Sequence, residues 1–243
     1  MTSSSKPIYF FSDVHLGVGD QDALKNFKLK SLLDLAATNN AECFILGDLF
    51  DFWFEFFSGI PNCYKNTLNI LCNAVSKGTK ITFIGGNHDY WVGKNFIKKS
   101  GCQVLKKPFL GTIANTRIYA GHGDGLAKSD WAYRLILKPF LRCPASILLF
   151  KLFPRKIGQR IACGVSNGSR IYTKNRNLKF EAEYLDTAQK IAKNGIEFVI
   201  VGHTHEPARI VRLENTTYVN LGDFFSQFTY AVLDKGKIRI DTI

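Results

Sequence analysis

Ser12-Asp13-Val14-His15, Gly47-Asp48-Leu49-Phe50-Asp51, Gly86-Asn87-His88-Asp89, Gly121-His122 and Gly202-His203-Thr204-His205 together hold every histidine of the 243-residue chain. Each of the five blocks follows a short apolar run, and each sets imidazole or carboxylate beside Gly, Asp or Asn. Histidines used for packing or surface solvation scatter along a sequence; these do not. Carboxylate, imidazole and amide oxygen together suit manganese, iron or zinc better than calcium or magnesium alone. Asp13-x-His15 and His203-x-His205 put two ligands on the same side of an extended segment, so each pair can serve one site. The set is too large for one ion and fits two ions bridged by a carboxylate.

Elements that could position these side chains are legible around them. The runs at 8–11, 43–46, 81–84, 117–120 and 198–201 read as buried strands, and parallel strands of an α/β sheet place ligands beyond their C-terminal ends. Helical spacing follows near 24–36, 64–76, 92–100 and 180–192. The C-terminal part alternates as antiparallel strands at 208–213, 217–219, 228–233 and 237–241. Without internal repeats or a low-complexity linker, residues 1–243 read as one α/β domain. It carries a helical insertion at about 127–177, in which Pro139, Pro144 and Pro154 separate three short helices.

Charge singles out the same insertion. The chain has 32 Lys and Arg against 20 Asp and Glu, a net charge of +12. From Lys128 to Lys179 there are twelve basic residues and one acid, Asp130. They are interleaved with Ile, Leu and Phe, which suits an anionic or membrane-surface partner better than a merely solvated face. The six cysteines form no Cys-x-x-Cys pair and no metal-finger spacing, and they read as reduced thiols of a cytosolic protein. Met1 to Pro7 lacks the apolar core of a secretory leader. No uncharged apolar stretch approaches the roughly 20 residues that span a bilayer. The expectation is a soluble or peripheral protein.

In order and across essentially the whole chain, the five blocks resemble those of the calcineurin-like metallophosphoesterase superfamily. The resemblance implies a two-layered β-sandwich flanked by helices, with two divalent ions at the strand ends. Carried over residue by residue, one ion takes Asp13, His15, Asp48 and His205. The other takes Asp48, Asn87, His122 and His203, so that Asp48 bridges. His88 is expected to approach the phosphate and leaving group without binding metal, Asp89 to orient His88, and Asp51 to support the ligands from behind. Water then attacks phosphorus in line with the departing oxygen, and His88 stabilises the developing charge or protonates the leaving group. Manganese is the expected ion, with iron or zinc as alternatives.

The run from Gly47 to Trp53 lacks the Asp-Arg-Gly of related protein phosphatases. It is similar to the UDP-2,3-diacylglucosamine pyrophosphatase family of lipid A synthesis, as is Gly121-His122-Gly123-Asp124 followed by a basic helical insertion. That likeness implies attack on the α-phosphorus of UDP-2,3-diacylglucosamine, with release of UMP and 2,3-diacylglucosamine 1-phosphate. It also implies a cytoplasmic protein held peripherally on the inner membrane. Leu135, Ile136, Leu137, Phe140, Ile147, Leu148, Leu149, Phe150, Leu152 and Phe153 can line a groove for acyl chains. Arg134, Lys138, Arg142 and Lys151 can meet phosphates or anionic lipid. Candidate contacts to the glucosamine or diphosphate are Asp124, Asp130, Ser166, Arg170 and Lys174. In one departure, His88 stands where the better-known branch carries arginine, which keeps open another nucleotide-diphospho lipid as substrate. A nuclease is the competing enzyme reading for a basic face. That reading expects stacking aromatics or a groove-reading motif, whereas this insertion is aliphatic-rich, so no nucleic-acid partner is expected. A non-catalytic scaffold would be expected to lose ligands, and none is missing. The sequence sets no oligomeric state.

Overall fold

The computed structural model describes residues 6–17, 20–56, 59–153 and 177–243. β1 (Ile8–Phe11) has no polar residue and is buried along its length, because both of its faces are covered. Ile8 and Phe10 point into one core and Tyr9 and Phe11 into another, as the two-residue period of a strand requires. β2 (Glu42–Ile45), β3 (Ile81–Ile84) and β4 (Gln103–Leu105) extend parallel to β1, while β10 (Thr229–Asp234) pairs antiparallel on its other side and β11 (Lys237–Thr242) closes the edge. This six-stranded sheet has the order β11-β10-β1-β2-β3-β4.

A second sheet has the order β5-β6-β7-β9-β8. It comprises β5 (Phe109–Ile113), β6 (Thr116–Gly121), β7 (Phe198–Val201), β8 (Arg209–Arg212) and β9 (Thr217–Asn220), and β6, β7 and β9 run parallel. The sheets face each other across a shared core in which Phe10, Phe44, Ile84 and Ala231 meet Ile118, Ala120, Ile200 and Val219. Outside the first sheet lie α1 (Asp22–Thr38), α2 (Lys65–Ser76) and α3 (Lys94–Ser100), with Leu29, Leu32, Leu71 and Phe96 against Tyr9, Phe11, Ile45 and Phe83. Tyr184 and Ala188 of a long helix (Asn177–Ala192) cover Val199, Val201 and Tyr218 of the second sheet. The chain is therefore an α/β/β/α sandwich. The metal-type residues expected at strand ends come from both sheets: β1, β2 and β3 of one, β6 and β7 of the other.

The described part of the insertion begins with a wide π-helical turn (Tyr133–Leu137) that runs into α4 (Lys138–Arg142). After extended Cys143 comes α5 (Pro144–Lys151), so the Asn177–Ala192 helix is α6. Pro144 separates helices as expected, since the residue before a proline avoids helical backbone. Pro139 does not. Helical backbone continues from the π-helical turn through Lys138 into α4, so the chain passes Pro139 without a break. The break expected at Pro154 lies outside the described residues.

Aromatic residues after β2 and β3 help to dock the insertion. The Phe150 ring lies 4.8 Å from Phe54 and 5.8 Å from Phe56. The Trp91 indole N–H donates to the Leu141 carbonyl at 2.9 Å, and the Arg142 guanidinium sits 4.1 Å over the Tyr90 ring. Much of the insertion's apolar surface stays in solvent: Leu135 is 71% exposed and Leu152 68%, and Ile136, Phe140, Leu148 and Leu149 are also exposed. No helix among the described residues is long and apolar enough to cross a membrane.

Candidate metal centre

Loops leaving β1, β2, β3, β6 and β7 converge on one buried spot. His205 Nε2 lies 3.1 Å from Asp13 Oδ1 and 3.3 Å from His15 Nε2. His122 Nε2 lies 3.2 Å from Asp48 Oδ2, 2.9 Å from Asn87 Oδ1 and 3.1 Å from His203 Nδ1. Asp48 Oδ2 also reaches His15 Nε2 at 3.9 Å and His88 Nε2 at 3.8 Å, which puts this carboxylate between the two groups. Three donor sets that could hold an ion result: Asp13, His15 and His205; His15, Asp48 and His88; Asp48, His122 and His203.

The backbone is bent to achieve this. Asp13, His15, Asp48, His203 and His205 all have φ between 49° and 71°, a left-handed region that costs an L-residue about 1 kcal/mol or more each. Such conformations persist only when the surroundings over-determine them. Asp13 N–H donates to the Gly47 carbonyl, and Val14 and His15 N–H both donate to the Asp48 carbonyl. Lys25, a buried residue of α1, donates from its ammonium to the His15 carbonyl at 2.7 Å. Close approach also needs glycine: a Cβ on Gly86 would stand 2.1 Å from Asp48 Oδ1, and one on Gly202 2.5 Å from Asp13 Oδ2.

The supporting residues differ in part from expectation. Asp89, expected to orient the His88 ring, is bonded to backbone. Its buried carboxylate instead accepts the backbone N–H groups of Asp48 (3.1 Å), Leu49 (2.7 Å), Phe50 (3.2 Å) and Gly86 (2.9 Å), clamping the β2 and β3 loops together. The ring is set by Asp51, whose carbonyl lies 2.7 Å from His88 Nδ1. Asp51 also turns Oδ1 toward His15 Nδ1 at 3.4 Å, which places it behind a ligand. The Asp124 carboxylate is buried and engaged by the Tyr133 hydroxyl, the Arg142 guanidinium and the Lys138 ammonium, each at 2.8 Å. It tethers the insertion to the β6 loop, and Lys138 and Arg142 turn inward to it. Asp130 stands at the start of the insertion, where its carbonyl accepts the Arg134 N–H. Ser166, Arg170 and Lys174 lie outside the described residues.

The donor chemistry fits cations. A carbonyl only accepts, so the Leu46 carbonyl 2.8 Å from His122 Nδ1 fixes the proton on that nitrogen. In the neutral ring the Nε2 lone pair then faces Asn87 Oδ1 and Asp48 Oδ2, acceptor against acceptors, a conflict that a proton or a metal ion relieves. Burial alone would lower the pKa of His15, but the carboxylates of Asp13, Asp51 and Asp48 carry it up to about 9. Burial likewise opposes protonation of His122, and Asp48 and Asp13 overcome it to about 10. His203, pushed by burial and by the His122 charge, falls to about 4. Burial would raise Asp48, yet His122, His88 and His15 hold it far below the carboxylate range. Burial and the Asp48 charge bring Asp89 up to about 7, against the N–H groups it accepts.

Sequence reading passed over Lys25, Tyr90, Trp91 and the loop after β9. That loop did carry a signal. Leu221-Gly222-Asp223 repeats the Gly-Asp ending of β2 at another strand end, and there Phe224 N–H donates to the Asp13 carbonyl at 3.0 Å.

Two outcomes follow. Asp89→Ala strands four buried N–H groups and lowers stability by about 2–4 kcal/mol in urea unfolding, with a fall in bound metal on elemental analysis. At pH 7 the raised values of His15 and His122 keep both protonated in the ion-free protein, whereas a metal takes neutral imidazole. Manganese binding therefore expels protons, about two per protein by this count, and tightens as pH rises toward 9 to 10. Titration calorimetry in buffers of different ionisation enthalpy reads this directly, and binding without proton release would contradict it.

UDP-2,3-diacylglucosamine hydrolase of Pseudomonas entomophila is 29% identical over 202 residues, covering 83% of this chain and 82% of that protein. The protein of the same name from Nitrosococcus oceani is 29% identical over 204 residues, covering 82% and 79%. Among solved structures, GAP50, the anchor in the inner membrane complex of Plasmodium, aligns over 98% of this chain and 84% of its own with a TM-score of 0.51 and 8% identity. That likeness concerns the fold alone. Residues 6–207 match the model of the calcineurin-like phosphoesterases. The chain belongs to the calcineurin-like phosphoesterase family and is a metal-dependent hydrolase.

Proposed function

We propose that this hydrolase cleaves the diphosphate of UDP-2,3-diacylglucosamine, releasing UMP and 2,3-diacylglucosamine 1-phosphate. The observation that carries the reading is a basic, apolar insertion fastened beside the metal-type residues. Asp124, two residues after His122, anchors it, and Tyr90 and Trp91, just after His88, pack on it. A diphosphate at the centre with acyl chains along the insertion satisfies both surfaces. The names of the relatives point the same way.

Bound divalent ions, manganese by preference and iron or zinc otherwise, supply charge for the phosphoryl oxygens and acidify the attacking water. Asp13, His15 and His205 would hold one, Asn87, His122 and His203 the other, and Asp48 would reach both. Burial lowers the His88 pKa despite the Asp48 charge, so the ring is neutral at pH 7, its Nδ1 proton on the Asp51 carbonyl. His88 Nε2 is thereby a proton acceptor, able to take a proton from the attacking water. The departing sugar phosphate has a second pKa near 6, so its oxygen leaves as an anion with little help. Lys138 and Arg142, drawn inward by Asp124, put positive charge on the rim where a diphosphate would lie. Because His88 stands where the better-known branch has arginine, a different nucleotide-diphospho lipid is the second reading.

Release of UMP from UDP-2,3-diacylglucosamine in detergent micelles with manganese tests the proposal. His88→Ala is expected to lose a factor of about 10²–10⁴ in turnover while keeping its metal. Equal turnover of UDP-glucose would sink the lipid specificity. The exposed apolar face, flanked by Arg134, is further proposed to rest on an anionic membrane surface. Leu135→Glu with Leu152→Glu should weaken co-sedimentation with phosphatidylglycerol vesicles by about tenfold or more, and unchanged binding would refute that placement.

A further inference from the structure

The insertion approaches the centre through the loops after β3 and β6. A different aromatic approaches it through the other ligand group. The Phe225 ring lies 5.3 Å from His205 and 5.7 Å from His15, inclined 75° and 78° to them. It is half-buried, so part of its surface is open beside the Asp13, His15 and His205 set. Its neighbour Phe224 is fully buried against Phe11 and leaves the core complete.

An elaborate turn holds Phe225 there. The Asp223 carboxylate accepts the backbone N–H groups of Phe225 (3.1 Å), Ser226 (2.6 Å) and Gln227 (3.0 Å). It also accepts the Ser226 hydroxyl at 2.9 Å and the Gln227 amide at 2.7 Å. Gln227 in turn receives the Ala208 N–H and donates to the His205 carbonyl, which ties the turn to the ligand loop. A half-open aromatic ring fixed this firmly next to a phosphoryl site is preorganised for a flat group on the substrate. A nucleobase is such a group, and stacking is indifferent to its hydrogen-bonding edge.

Resting on the nucleotide reading above, we propose that Phe225 is a specificity-determining residue that stacks on the nucleobase. The substrate is then oriented with its base on the Asp13, His15 and His205 side and its lipid on the Asp48, His122 and His203 side, where the insertion docks. Nothing in the chemistry of phosphoryl transfer needs this ring, so its contribution is to binding and orientation.

Titration calorimetry of UMP and of ribose 5-phosphate into the manganese-loaded protein separates base from phosphate. In the wild type UMP binds more tightly than ribose 5-phosphate. Phe225→Ala and Phe225→Leu each weaken UMP by about tenfold and leave ribose 5-phosphate within about twofold, while Phe225→Tyr restores UMP binding. The proposal is overturned if the wild type binds the two ligands equally, if both weaken together in the variants, or if Leu rescues as well as Tyr. UMP release from the lipid substrate is measured on the same preparations. Failure of that assay with the UMP contrast intact removes the lipid assignment and leaves Phe225 standing, and the converse result removes only Phe225.

Discussion

A carboxylate taken out of water must be matched by positive charge, and Asp48 imposes that demand on everything around it. It is 1% exposed, lies within 4 Å of three imidazoles, and has its own backbone bent into the left-handed region. The histidines answer the demand with protons when no ion is bound, which is why His15 and His122 titrate so high. A cavity that recruits protons this strongly is one from which divalent cations displace them. The packing of two sheets, the clamp of Asp89 and the glycines at 86 and 202 all serve to bring acceptors closer than they would otherwise stand.

How far this was legible in the sequence depends on the kind of interaction. The blocks around Asp13, Asp48, His88, His122 and His203 could be read because ligand chemistry restricts residue type and strand ends restrict position. Their division between two sheets could not be read from the strands, since β1 and β7 are equally apolar and nothing local says which strands pair. The resemblance implies two layers, without saying which block hangs from which. Asp89 and Asp51 show a sharper limit. Both stand within the blocks, but whether a carboxylate serves a ring or four backbone amides depends on loop geometry. The Asp51 carbonyl that orients His88 is backbone, and backbone has no sequence signature.

The insertion illustrates the same boundary. Its basic, apolar character was plain from composition, yet Lys138 and Arg142 do not simply face outward. Asp124 draws them in, so part of the apparent surface charge becomes local support for the centre. Pro139, read as a break, stands within helical backbone that continues from the wide π-helical turn into α4. Phe225 was invisible for another reason: with 20 phenylalanines in the chain, one that leaves the core carries no mark of it.

Four of the seven metal-type residues hang from one sheet and three from the other, so an ion gripped by Asp48 and His122 would also be a rivet between the layers. Occupancy then adds to whatever the shared core of Phe10, Phe44, Ile118 and Ile200 provides, by an amount that grows with the logarithm of free metal. Metal binding would then support the fold as well as the chemistry. Starvation for the ion would expose the protein to degradation as well as silence its chemistry.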